Sequence, residues 1–452
     1  MLLALARMFT KLRLWLLSLP LISEILFQVL GIPVAAKLYL ETLGNVVVVS
    51  VARRRTLVTS NFDVSMRVFK ENGLNYTSRM AENSGLARIG MLNAGIIWNN
   101  ETAEWRKLRQ YFQRAVNNRA LDLATKYTVD SVDFAMVLFP IFKHGGGRLD
   151  LLAFLRTITL DVTNRLMFAV NVQNHAGLIE AIVEYFQAWE YFLIRPSFSY
   201  LLSPFLYRRH CKAVARLSHL SQMILQEKLE ELEEFGEEAV EDNFLKHLVV
   251  DMRRGEVSQA NVVQCILEML IAGTDTSSVS LFYTMVSLAA SPEWEEAVAR
   301  EVTDTDDFND LPVVEACLKE AMRIKPVGPV VIRRALEADL KLGLVAGDNV
   351  IISLEEMHKN SVRFVHPDHF NPGRFLSGGE AGKAEFLPFG AGPKSCVGQF
   401  LAMREMKAVM VKLMRGWRVE VPGMEGVHSI KVRWDIAQQP VDTLMVNILV
   451  RV

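Results

Sequence analysis

Residues 386–403, FLPFGAGPKSCVGQFLAM, hold a cysteine in a setting suited to metal chemistry. Phe389, Gly392, Lys394, Cys396 and Gly398 fit the spacing F-x-x-G-x-(R/K)-x-C-x-G. Glycines let a backbone turn tightly, so that amide N–H groups can point at one sulfur. Those donors, with the N-terminus of a helix expected to start near Val397, stabilise a thiolate. Phe389 is expected to shield it from solvent. A buried thiolate in this environment suits the axial ligand of a haem iron, where it pushes electron density to favour O–O cleavage. Cys396 is therefore the expected metal ligand, and haem the expected cofactor.

Three further clusters carry weight beside this loop. In EACLKEAMRIKP (315–326), Glu320 and Arg323 stand at i and i+3 and can pair on one helical face. FNPGRF (370–375) offers Arg374 as a third member. A buried Arg–Glu–Arg cluster needs full hydrogen bonding to offset desolvation. It is read as a structural clamp for the cysteine loop, not as catalytic machinery. The run QCILEMLIAGTDTSSVSLFYTMVSLAA (264–290) is too long and apolar for a surface helix. Its polar stretch from Gly273 to Ser278 competes with the helix ladder and predicts a polar break that marks a site. Glu268, Ala272, Asp275 and Thr276 recur on one face. Small Ala272 and Gly273 leave room for a flat ring or dioxygen; Thr276 is expected to hydrogen-bond the oxygen and Asp275 to supply protons. Finally, Trp105 and Arg109 in NNETAEWRKLRQYF (99–112) are i, i+4 on a helix. An indole N–H and a guanidinium there bind carboxylates, and haem propionates are the obvious ones.

The elements that must position these residues are mainly helical. VVVVSV (46–51) and NVIIS (349–353) read as short strands, and GGG at 145–147 as a loop between helices. The acidic run 228–242 reads as a solvated helix and loop. The 452 residues are 50% hydrophobic, enough for a large core and too apolar for a disordered chain. Lys+Arg of 50 against Asp+Glu of 51 leaves a net charge of -1, without the basic footprint of nucleic-acid binding. Four cysteines without a CxxC pair argue against a disulfide scaffold or structural zinc. The nine histidines form no paired cluster, and no phosphate loop or G-x-S-x-G elbow occurs. Residues 12–36 are apolar and long enough to span a bilayer, but Glu24, Pro20 and Pro33 interrupt them. A signal peptide, a buried or interfacial segment of the fold, and a genuine span compete. The expected division is a membrane-associated segment over 1–36 and a single catalytic domain over 37–452.

In this order the four clusters resemble a cytochrome P450. Residues 261–283, 87–105, 185–196 and 331–340 are similar to the aromatase, or steroid-aromatising, branch of that superfamily, and the resemblance runs from about residue 21 to the end. It implies a mainly α fold with a small β lobe, a helical prism around haem. It implies haem bound by Cys396, with Arg79, Trp105, Arg109, Arg333 and Lys394 as propionate partners and Ala272 and Phe389 beside the ring. Ile97, Trp98, Phe186, Trp189, Val331, Ile332 and Ile436 would line an apolar steroid pocket. A protonated Asp275 would meet the A-ring ketone and the Ile332 amide the D-ring oxygen; burial in such a pocket raises a carboxyl pKa. Catalysis would fall to Asp275, Thr276 and Glu268. The implied reaction is a monooxygenation using O2 and NADPH electrons delivered by NADPH–cytochrome P450 reductase, with successive oxidations of an androgen C19 methyl ending in an aromatic A ring. Arg106, Lys107, Arg404 and Lys407 are candidate docking cations for the reductase. The implied location is the endoplasmic reticulum membrane, with the catalytic domain toward the cytoplasm. A hydroxylase of another steroid or lipid, a reductase-independent haem-thiolate isomerase and a non-catalytic ligand carrier are the competing readings. The chain departs from the vertebrate aromatase pattern at Thr274, in place of proline, Lys394, in place of arginine, and Ala437, in place of serine. The proline-rich hinge after the anchor is not evident, and the N-terminal span looks shortened.

Overall fold

The computed structural model describes residues 17, 19–79, 93–169, 175–193, 195, 199–304, 307–377, 385–423, 426–435 and 437–451. Its longer helices are α1 (Pro20–Leu30), α2 (Ile32–Leu43), α3 (Thr102–Ala115), α4 (Asn118–Leu138), α5 (Leu151–Thr163), α6 (His175–Leu193), α7 (Pro204–Phe235), α8 (Phe244–Arg253), α9 (Gln259–Ala289), α10 (Pro292–Asp304), α11 (Pro312–Ile324) and α12 (Gln399–Met414). The strands are β1 (Val46–Val51), β2 (Arg54–Thr59), β3 (Gly146–Asp150), β4 (Val330–Arg334), β5 (Asn349–Ser353), β6 (Trp417–Glu420), β7 (Val432–Asp435), β8 (Ala437–Pro440) and β9 (Met445–Val450).

Both strand-like runs form as expected and join one four-stranded sheet of order β1-β2-β5-β4. Every residue of β5 is buried, which is why its central Val350, Ile351 and Ile352 are apolar without alternation. The glycine run is not merely a loop. Gly146 and Gly147 open β3 and pair with Leu449 and Ile448 of β9. A Cβ on Gly146 would stand 2.3 Å from the Ile448 carbonyl oxygen, so the strands approach where only glycine fits.

The long apolar helix is α9, which packs against α5, α7, α8, α11 and α12. Ser258 caps it by accepting a hydrogen bond from the Asn261 amide at 3.2 Å. Among the described residues it is the helix long and apolar enough to cross a membrane, and it is buried within the protein. The expected polar break is absent: α9 runs unbroken through Gly273–Ser278. Its hydroxyls turn inward on their own helix. Thr274 donates to the Leu270 carbonyl, Thr276 to Ala272, Ser278 to Thr274 and Ser280 to Thr276, at 2.6–2.9 Å. Back-bonding satisfies these groups without opening the ladder.

The described part of the 12–36 segment is two helices, not one span. Gly31, with φ +80°, separates them, and Pro20 and Pro33 sit in their first turns, where proline is tolerated. Glu24 is not a flaw in a membrane helix. Its Oε1 accepts from the Ser50 hydroxyl and the Arg53 amide, both at 2.6 Å, tying α1 to the β1–β2 hairpin. The expected domain boundary at 36/37 falls inside α2, whose Ala35, Ala36 and Tyr39 are fully buried.

The Glu320, Arg323 and Arg374 side chains meet in the interior. Arg323 donates bidentately to Glu320 at 2.7 and 2.9 Å, and Arg374 Nε donates to Glu320 Oε1 at 3.3 Å. The spare guanidinium protons reach the carbonyls of His358, Pro367 and His366. His358 extends the cluster to the cysteine loop, its Nε2 accepting from the Leu387 amide at 3.0 Å. Burial pushes the His358 pKa down to about 3, with Arg323 adding to the effect, so the ring is neutral and can accept. Glu320→Ala would leave two guanidiniums buried and unpaired. The expected loss of stability is about 3–5 kcal/mol in chemical denaturation; a loss under about 1 kcal/mol would show that this cluster does not hold the loop region together.

Candidate active site

The cysteine loop folds around its own backbone. Cys396 N–H donates to the Phe389 carbonyl at 2.9 Å, and Ser395 N–H to Gly392 at 3.1 Å. Gly392 has φ +71°, and a Cβ there would lie 1.6 Å from the Phe69 carbonyl oxygen. Position 392 thus admits no side chain. The Gly398 amide donates toward the Cys396 sulfur, and α12 begins at Gln399, slightly later than expected. Burial pushes the thiol pKa up, while the Gly398 amide and the Arg109 and Arg79 guanidiniums pull it down. Cys396 is exposed, and the space it is exposed to is an interior cavity of about 440 Å³. Phe389 lines the same cavity.

Glu268, Ala272, Gly273 and Thr276 of α9 face this cavity, with Thr276 exposed to it. Gly273 serves a different purpose from the one expected. A Cβ there would meet Thr163 Oγ1 at 2.4 Å, so the glycine admits α5 rather than a ring. Glu268 is not a free catalytic acid. Its Oε2 accepts from the amides of Ile96 at 2.5 Å and Ile97 at 2.8 Å, and it pins residues 95–98 over the cavity. Gly95, at φ +71°, makes that wrap possible. Asp275 departs furthest from expectation. It does not line the cavity; Oδ1 accepts from Arg156 Nε and Oδ2 from Gln439 Nε2, both at 2.7 Å. An Asp275 carboxyl reaching into the cavity for a substrate ketone is therefore not what the structure contains. The helix turns this carboxylate outward because α5 and β8 present a cation and an amide on that side.

Arg79, Trp105, Arg109, Arg333 and Lys394 all line the cavity. Among the described residues none of the four cations is ion-paired. Arg109 donates to Ser395 Oγ at 3.4 Å, Arg333 to carbonyls, and Lys394 to the Asn99 carbonyl at 3.0 Å. Lys394 also stands 4.0 Å from the centre of the Trp105 ring. Burial pushes the Lys394 pKa down to about 6, with Arg79 and Arg333 adding repulsion. Burial likewise lowers Arg79, to about 10, and Arg333. Arg79 Nε and Trp105 Nε1 are buried donors without a partner. Uncompensated cations and orphaned donors around one cavity, facing a cysteine sulfur, fit a ligand with two carboxylates.

Ile97, Trp98, Phe186, Val331 and Ile332 form the apolar wall of the same cavity. The Trp189 side chain and Ile436 lie outside the described residues. Sequence reasoning missed several wall residues: Thr163, Tyr185, Trp434, Ser277 and Glu405, along with Arg156 and Gln439 behind Asp275. Thr163 carried a signal in the neighbouring apolar run. Glu405 carried one too, as an acid on an otherwise apolar face of α12.

The sulfur, the encircling cations and the unbroken helix across the cavity define a haem-thiolate protein. The family model described as Cytochrome P450 matches residues 18–446, and the chain belongs to the cytochrome P450 family. It is a monooxygenase whose haem is held by a thiolate and supplied with electrons by a redox partner. Similar proteins include Aromatase 2 of Sus scrofa, 33% identical over 436 residues, covering 94% of this chain and 85% of that one. Aromatase of Homo sapiens is 32% identical with the same coverage. A zebrafish cytochrome P450 structure with abiraterone matches at TM-score 0.74, covering 92% of this chain and 98% of that one, with 21% identity; this is a likeness of fold. The double change Trp105→Ala, Arg109→Ala is expected to lower the haem-to-protein ratio of the purified enzyme. Full occupancy in that variant would remove both residues from the propionate site.

Proposed function

We propose that this monooxygenase oxidises the C19 methyl of an androgen in successive steps, ending in loss of that carbon and an aromatic A ring. The observation that carries the reading is the apolar wall of Ile97, Trp98, Phe186, Val331 and Ile332 over the cysteine cavity, in a chain about a third identical to aromatases. Haem bound there supplies oxygen activation, with electrons from NADPH through NADPH–cytochrome P450 reductase. Arg79, Arg109, Arg333 and Lys394 would hold the two propionates, Trp105 would donate its indole N–H, and the Cys396 sulfur would ligate the iron. The cavity wall orients the steroid and excludes water. Thr276 handles protons: its hydroxyl faces the cavity and reaches the Ala272 carbonyl at 2.6 Å. Asp275, salt-bridged to Arg156, holds α5, α9 and β8 in register behind it.

That salt bridge also favours a second reading, hydroxylation of another steroid or lipid, because it turns Asp275 away from the cavity in which it was expected to read an A-ring ketone. Incubation with androstenedione, reductase and NADPH separates the two. Oestrone supports aromatisation; a hydroxylated steroid without oestrone overturns it in favour of hydroxylation.

Membrane association at the endoplasmic reticulum, with the catalytic domain toward the cytoplasm, is supported by apolar residues on one region of the surface. Leu21, Val29 and Val34 of the N-terminal helices are exposed, as are Leu201, Leu202 and Phe205. Arg195 bonds the Gln28 carbonyl and ties the two segments' neighbourhoods together. For reductase docking, Arg106 is exposed, while Lys107 and Arg404 pair loosely with Glu256 and Asp122. Lys407 is buried and bonded to Glu315, so it is no docking cation.

Thr276→Ala is expected to retain haem and to divert NADPH electrons to hydrogen peroxide. An unchanged ratio of product formed to NADPH consumed would contradict a proton role for this hydroxyl.

A further inference from the structure

Glu405 is a buried acid for which neither haem binding nor proton delivery has a use. It lies on α12 with Gly398, Leu401 and Ala402, a spacing that puts all four on one helical face, and all four line the cysteine cavity. Across the cavity stand Ala272, Gly273, Thr276, Ser277 and Ser280 of α9. The two helices touch, and Ser277 and Glu405 both line the cavity there. Glu405 is only 4% exposed, and its Oε1 has no partner. A carboxylate in that position would be desolvated and half-satisfied, whereas a carboxylic acid needs far less.

On the elements packed around α12, Arg119, Lys126, Asp130, Glu293, Glu296 and Arg300 are exposed, and the remaining charges of the described residues are engaged elsewhere. On α9, Asp275 faces Arg156 and Glu268 faces backbone amides. On α4, Asp122 and Asp133 take Arg404 and Lys412. On α11, Glu315 holds Lys319 and Lys407, and Glu320 holds Arg323 and Arg374. On α10, Glu295 bonds Arg451 and Glu301 accepts from the Val313 and Val314 amides, while Arg418 of β6 lies near Glu420. None of them perturbs Glu405, which responds only to burial and to Ser277. Burial dominates and pushes its pKa up to about 8.

We propose that Glu405 tunes the redox potential of the bound haem, standing uncharged against Ser277 in the chamber wall and lowering the ferric–ferrous potential when it gives up its proton. The proton passes to solvent and the charge stays behind. A negative charge in a desolvated chamber stabilises the oxidised, more positive state of a nearby redox centre. The sign follows directly: the potential is high while Glu405 is protonated and falls as pH rises through its ionisation.

The test is a spectroelectrochemical titration of the full-length, haem-loaded, substrate-free enzyme from about pH 6 to about pH 10. The wild type is expected to show a downward step in potential centred near pH 8. Glu405→Gln, which keeps the shape but cannot ionise, is expected to lose that step. Glu405→Met, of similar volume, serves if the glutamine variant does not fold. A wild type without the step, or a variant that retains it, overturns the proposal. Infrared spectra give a second readout: the carbonyl stretch of a protonated carboxyl at neutral pH, present in the wild type and missing in the variant. Its absence from the wild type also overturns the proposal. The ferrous carbonyl spectrum of the same samples reports thiolate ligation by Cys396 separately, so a failure there is distinguishable.

Discussion

Positive charge buried without a partner is the constraint around which this structure is arranged. Arg79, Arg109, Arg333 and Lys394 come from four separate parts of the chain and converge on one cavity with no ion pair among them. Isolated buried charges cost several kcal/mol each, so such a cluster persists only with an anion to meet it. In the reading proposed above, two haem propionates would be that anion. Lys394 makes the point chemically. Unlike an arginine, its side chain can shed its proton, and burial lowers its pKa accordingly.

The central helix solves a related problem for neutral polar groups. Its Thr and Ser hydroxyls bond carbonyls one turn back, so a polar stretch crosses the core without breaking the ladder. That leaves the outward positions open to tertiary partners. Gly273 accepts Thr163, Asp275 accepts Arg156 and Gln439, and Glu268 accepts a turn of the loop above it. The cavity that remains has Thr276 and the apolar wall of Ile97, Trp98, Phe186, Val331 and Ile332 in its lining, together with the four cations and Glu405.

Much of this was legible in the amino-acid sequence. The cysteine loop, the Glu320–Arg323 pair, the Trp105–Arg109 pair and two of the four strands of the first sheet were readable because each depends on short-range spacing. Less was legible where a side chain has a choice of neighbours. The N-terminal segment looked like a flawed membrane span because Glu24, Pro20 and Pro33 have no evident reason in a linear reading. In the fold the prolines start two helices and Glu24 fastens the first of them to a hairpin. Glu405 stood near the cysteine as an acid on an otherwise apolar helix face, but the sequence did not show that α9 packs against that helix.

The sequence by itself determined the ligand and its loop. A sulfur, the glycines beside it and the cap of the following helix lie within a few residues of one another, and backbone sterics leave them few arrangements. Only the tertiary structure decided the fate of the acids. Asp275 finds Arg156 at 119 residues' distance and Gln439 at 164, and Glu268 finds the Ile96 amide at 172. A carboxylate's role depends on which donors and how much solvent surround it, and those are supplied by segments that meet only when the chain has packed.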